Sequence, residues 1–251
     1  MEKLLIPEEI IKTMVSCVEE AVGNDIQEDK NINKFHTMNS IPFRTWDYIN
    51  RNLIDQLEVT DCITTESKRG CWNMVIVYEK TTQNIFTFMR ENRFIDICKK
   101  QRKRKRMHYL DILTKNFNSS LIAQNHQLSI LDPNAFSDED ILAEKVNILL
   151  NDLRDHADLI RNHVLVLFDT IGSDLISIRA VMLTSELEIA FQQDWSGYIY
   201  KEEAIVTAKV EHSESPANNP TRGLKLKPKA LERQKNKPTP KVVEIEKIQE
   251  G

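Results

Sequence analysis

Trp72-Asn73-Met74-Val75-Ile76-Val77-Tyr78, then Glu79-Lys80-Thr81-Thr82-Gln83-Asn84, then Ile85-Phe86-Thr87-Phe88-Met89 is the stretch that decides the fold. β-Branched and aromatic residues fill both flanks, and the segment between them is polar and of hairpin length. The first flank reads as a buried strand because its apolar residues run on without a polar alternation. Upstream, Val59 to Thr65 is also β-rich, with Gly70 in the turn that follows. The three segments predict an antiparallel meander.

A second group of strands lies near the end of the chain. Val164 to Phe168 and Leu175 to Leu183 flank the turn Asp169-Thr170-Ile171-Gly172-Ser173-Asp174, and Leu187 to Phe191 adds a third strand. Ile199 to Val210 closes the domain as helix or strand. The sequence around these groups is helical. Pro7, Glu8 and Glu9 open a helix whose stripe is Ile10, Ile11, Met14, Val15, Val18 and Val22, and Gly23-Asn24 ends it. A polar connector, Asp25 to Asn33, follows. A second helix starts near Thr45 or Trp46 and buries Trp46, Ile49, Leu53, Ile54 and Leu57. Helical sequence returns from Phe94 to Phe117. A short apolar strand falls around Leu128 to Leu131. Ser137 with Asp140 resembles a capping box, opening a long helix through Ile141, Leu142, Val146, Leu149, Leu150, Leu153 and Ile160.

Each meander alone is too small to bury a core. The expected fold is therefore α+β: two antiparallel β-meanders forming one sheet, with amphipathic helices covering one face. Residues 1–34 form an N-terminal helix and connector, 35–210 a single α+β domain, and 211–251 a tail. Two independent domains are the alternative. The tail holds five of the chain's eight prolines and no aromatic residue, so it cannot bury enough apolar surface to offset its ordering entropy. It reads as disordered.

Charge is spread unevenly. The chain's formal net charge is −4, and the tail carries nine Lys/Arg against six Glu, which leaves residues 1–210 at −7. Within that acidic body Lys99, Lys100, Arg102, Lys103, Arg104, Lys105 and Arg106 place seven cations in eight residues. Such density exceeds what solubility needs and costs self-repulsion unless an anion relieves it. As one helix from Ile95 to Leu113, the run fits a duplex groove or a phosphate ridge. His108 and Tyr109 just after it offer a stacking surface for single strands. The competing reading is a solvated surface whose cations pair with the acidic body, or a dock for an acidic protein.

Other chemistry is thinly represented. Glu58, Asp61 and the Glu66-x-Lys68 pair near a strand resemble the acids and lysine of a metal-dependent nuclease. The order helix, three strands, helix is similar to the restriction-endonuclease superfamily. There, however, the acids sit on neighbouring strands of one hairpin, whereas Asp61 and Glu66 precede this one. Asp152 and His156, four apart on a helix, would share a face and could chelate with Asp155, Asp158 or His163, but Arg154 and Arg161 favour an ion-pairing surface. With six glycines, the chain has no G-x-S-x-G, Walker loop or dinucleotide fingerprint. Trp46, Trp72 and Trp195 read as core. No apolar run is long enough to cross a bilayer, no secretory leader is evident, and Cys17, Cys62, Cys71 and Cys98 fit reduced thiols in a cytoplasm. No cofactor or metal is expected.

The stretch from His36 to Asp47, Gly70-Cys71-Trp72, and Phe88 to Phe94 resemble an uncharacterised domain family of low-GC Gram-positive bacteria and their prophages, and the likeness continues through Leu175 to Ile199. The resemblance implies a bacterial or phage cytoplasm, with a mobile-element setting as one context, and it transfers no catalytic residue. The expected function is a non-enzymatic accessory protein holding nucleic acid or another polyanion, with an acidic protein as the other partner class and a homo-oligomer left open. A metal-dependent nuclease, or a protein-binding inhibitor or scaffold, are the alternatives.

Overall fold

The computed structural model describes residues 4–69, 72–104, 107–121 and 139–200. The expectations for Leu128 to Leu131, for Ser137, for residues 201–210 and for the tail lie outside them.

One six-stranded sheet runs through the protein in the order β1-β2-β3-β4-β5-β6. The strands are β1 Cys62–Arg69, β2 Trp72–Glu79, β3 Asn84–Arg90, β4 Asn162–Ile171, β5 Asp174–Leu183 and β6 Ile189–Asp194. Within each half, neighbours are antiparallel, but β3 and β4 lie parallel along the whole of β3. The sheet is therefore mixed, not a plain succession of hairpins. Parallel neighbours need a crossover, and here it is helical: α4 Glu91–Lys100, α5 Tyr109–Phe117 and α6 Glu139–Leu150.

Helices cover both faces of the sheet, which corrects the one-faced expectation. On one face α1 Glu8–Glu20 and α3 Ile41–Leu57 bury Met14, Val18, Ile49 and Leu53 against Val77, Phe86, Val166 and Ile178. On the other, the crossover helices bury Ile97, Leu110, Leu113 and Leu150 against Ile76, Ile85, Leu165 and Val181. The unbroken runs Val75 to Tyr78 and Val164 to Phe168 carry this information. An antiparallel sheet with one wet face alternates, whereas a strand covered on both sides has no polar side to show.

Two helix boundaries also differ. Gly23-Asn24 does not end the first helix; Ala21–Asp25 forms a π-turn and α2 Ile26–Asn33 continues, so the polar connector is helical. Its polar residues are occupied by α3. Asp25 accepts from Arg51 Nη2 at 2.9 Å and Asn52 Nδ2 at 2.8 Å. Asp29 pairs with Arg44 and accepts from Tyr48 Oη at 3.3 Å. The long C-terminal helix stops at Leu150, where Asn151 takes a positive φ of 47°, and Asn151–Leu159 runs on as 3-10 turns. The β4–β5 connection is the tight turn that the sequence indicates, with Gly172 at φ 65° where a side chain would be strained.

β2 and β3 separate early. They pair only from Glu79↔Asn84 to Val77↔Phe86, while β1 follows β2 over its full length. Asn50 of α3 reaches into the resulting fork, its Oδ1 accepting the Val75 N–H at 3.2 Å.

Candidate nucleic-acid interface

α4 begins after Arg90, in extended conformation, and buries Phe94 and Ile97, which leaves its opposite face to solvent. Lys99 and Lys100 fill the last turn, where the negative end of the helix dipole favours cations. The cationic run is not one helix, contrary to the sequence expectation. α4 ends at Lys100, Gln101–Lys103 makes a single 3-10 turn, Arg104 is extended, and α5 starts only at Tyr109. Like charges at i,i+3 and i,i+4 repel along a continuous helix, and Asp111 supplies a competing structure.

Asp111 makes two bonds. One oxygen accepts from Arg104 Nη2 at 3.0 Å, and the other accepts the His108 N–H at 2.7 Å. His108 Nδ1 in turn accepts the Leu110 N–H at 3.3 Å, completing a reciprocal cap on α5. This pins the end of the run to the α5 N-terminus and draws Arg104 inward.

The run therefore divides by role. Lys99, Lys100 and Lys103 are exposed and form no ion pair among the described residues. Arg104 is mostly buried, and its Nε and Nη1 have no hydrogen-bond acceptor among the described residues. Lys105 and Arg106 lie outside the described residues, as does the Arg102 side chain. Tyr109 is only 3% exposed, within the crossover-side core, so it is not a stacking surface. His108 is half-buried, tilted against the Tyr109 ring at 4.5 Å, and serves as a helix cap.

The nuclease residues stay apart. Asp61 precedes β1 while Glu66 and Lys68 lie along it, all exposed. At about 3.3 Å per strand residue, Asp61 and Glu66 are roughly 16 Å apart along the chain. Among the described residues no group of three His, Cys, Asp or Glu is placed to hold a metal ion. Asp152 and His156 do not share a face either, because four steps of about 120° on a 3-10 helix leave them about 120° apart. Asp152 accepts from Thr65 Oγ1 at 3.4 Å, and the His156 ring stacks on Tyr78 at 5.5 Å. His163 is wholly buried, its Nε2 2.8 Å from Thr87 Oγ1, and burial pushes its pKa down to about 3. Cys17, Cys62 and Cys98 are free thiols. Burial pushes the Cys17 thiol up to about 12, with Glu20 adding to the shift.

Sequence reading missed the Arg104–Asp111 pair. Its only trace is the spacing His108-x-x-Asp111, an unusual form of the capping pattern. Trp195 is core as expected, with Phe86 tilted against it at 6.4 Å, and Trp46 meets Phe168 edge-on at 5.7 Å. Trp72 is different: it is half-buried and stacked on the exposed ring of Phe43.

Compared with known proteins, the chain belongs to a family of unknown function, DUF5986, whose match covers residues 3–244. It matches none of the curated proteins and none of the solved structures. No helix among the described residues is long and apolar enough to cross a membrane.

Proposed function

We propose that this chain is a non-enzymatic accessory protein of a bacterial or phage cytoplasm that grips nucleic acid by its phosphates, using the end of α4 and the 3-10 turn after it. The observation that carries the reading is that, among the described residues, the exposed Lys99, Lys100 and Lys103 have no carboxylate partners and the Nε and Nη1 of Arg104 have no acceptors. A buried donor without a partner costs about 1–3 kcal/mol, and a phosphate oxygen reaching Arg104 would relieve that cost. The lysines supply the diffuse attraction that counterion release rewards. The bacterial or phage setting rests on the resemblance carried by His36 to Asp47 and Phe88 to Phe94.

The test is a gel shift with 30-nucleotide single- and double-stranded DNA and RNA, in EDTA. The wild-type chain is expected to retard at least one of them, and reversal of Lys99, Lys100 and Lys103 to Glu to abolish the shift. No shift with any probe, or a shift that survives the reversal, contradicts the reading. Divalent-dependent cleavage abolished by Glu66→Ala would establish the nuclease alternative instead.

A further inference from the structure

We propose a second, oppositely charged interaction surface: the cleft between α3 and the strands β1 and β2 docks an extended segment of a partner protein that carries an aromatic residue beside spaced lysines or arginines. This surface lies on the sheet face opposite α4, so it is separate from the cationic ridge.

The apolar part comes first. Phe43 is 56% exposed and stacks on Trp72 at 4.9 Å with the ring planes 4° apart. An exposed ring held flat against a second ring offers a rigid platform for an aromatic or cationic side chain. Next to it opens a cleft of about 340 Å³ whose apolar lining is Ile54, Met74 and Val75. Phe43 and Asp47 are one turn apart on α3, so the platform and the cleft are continuous.

Charge decides the occupant. Asp47, Asp55 and Glu66 line the cleft, all exposed, and none forms an ion pair with a described residue. Arg51, the one cationic lining residue among those described, is already engaged with Asp25 at 2.9 Å and lies over the Tyr48 ring. The acids are not grouped for a metal ion among the described residues. Asp47 and Asp55 are eight residues apart on one helix, about 12 Å. Cationic side chains at positions i and i+4 of an extended chain are separated by about 13 Å. A single small cation cannot meet both acids and the aromatic platform together; a peptide segment can.

The probe is acetyl-Phe-Lys-Ser-Gly-Ser-Lys-amide, titrated into the full chain and followed by amide and indole NMR shifts. The expected result is saturable binding that moves the Trp72 indole signal and weakens at least tenfold in the combined variant Asp47→Asn, Asp55→Asn, Glu66→Gln. Phe43→Ala should weaken it about threefold or more. All four side chains are exposed, so these variants should keep the wild-type circular dichroism. They also leave the lysines of the α4 ridge intact, so nucleic-acid retardation should be unchanged. No binding, equal binding of the same peptide with Glu in place of Lys, equal binding of free spermidine, or affinity unchanged in the combined variant would each overturn the proposal.

Discussion

Arg104 and Asp111 meet at 3.0 Å, and the contact ties the end of a cationic run to the helix that follows it. The same carboxylate holds the His108 amide at 2.7 Å, so one aspartate both anchors the arginine and starts α5. Replacing Asp111 with Asn removes the charge and weakens both bonds. The expected loss is about 1–3 kcal/mol of unfolding free energy, read by chemical denaturation, because a mostly buried guanidinium loses its partner.

Asn118 ties three points of the fold together. Its Nδ2 donates to the carbonyls of His163 at 2.8 Å and Leu183 at 2.9 Å, and its Oδ1 accepts the His163 N–H at 2.8 Å. Asn118→Ala would leave three backbone groups at the β4 entrance without partners. The expected cost is about 2–4 kcal/mol, measured as a shift in the denaturation midpoint at unchanged slope.

His163 gives the protein a pH dependence of known sign. Its folded pKa is pushed down to about 3 by burial, below the ordinary value of 6.5. The unfolded chain therefore takes up a proton that the folded one refuses, and stability falls as pH drops through about 6.5 toward 3. Between pH 7.5 and 5 the wild-type chain is expected to lose about 2 kcal/mol more than His163→Gln. Equal losses in the two proteins would show that His163 is not buried neutral.

Thiol reactivity offers a further check. Cys17 is fully buried and its thiol is held up to about 12. It should resist a water-soluble disulfide reagent until the protein unfolds, whereas half-buried Cys98 reacts first among these two. Mass spectrometry of the labelled peptides distinguishes them.

Much of the fold was legible. Trp72 to Met89 identified a hairpin because its β-branched and aromatic flanks and its polar turn agreed, and Val164 to Leu183 did the same with Gly172 at the turn. The mixed character of the sheet was not legible, since nothing local tells β3 whether β4 will run with it or against it. The two-sided burial was legible in principle from Val75 to Tyr78, whose lack of alternation is the mark of a covered strand. Helix ends failed where tertiary partners overrode local polarity: Asp25 and Asp29 looked like connector residues because their partners Arg51, Asn52 and Arg44 lie in α3. The cationic run was visible as composition, but its division into exposed lysines and an inward arginine depends on Asp111. No periodicity announces that pairing.

The central claim, that the exposed lysines at the end of α4 and in the 3-10 turn after it meet phosphates, is tested most directly by the salt dependence of duplex DNA binding in wild type and in the combined Lys99→Gln, Lys100→Gln, Lys103→Gln variant. Each phosphate contact contributes about 0.9 to the slope of log affinity against log salt, so the variant's slope should be shallower by about 2.7. Identical slopes and affinities in the two proteins would contradict the claim.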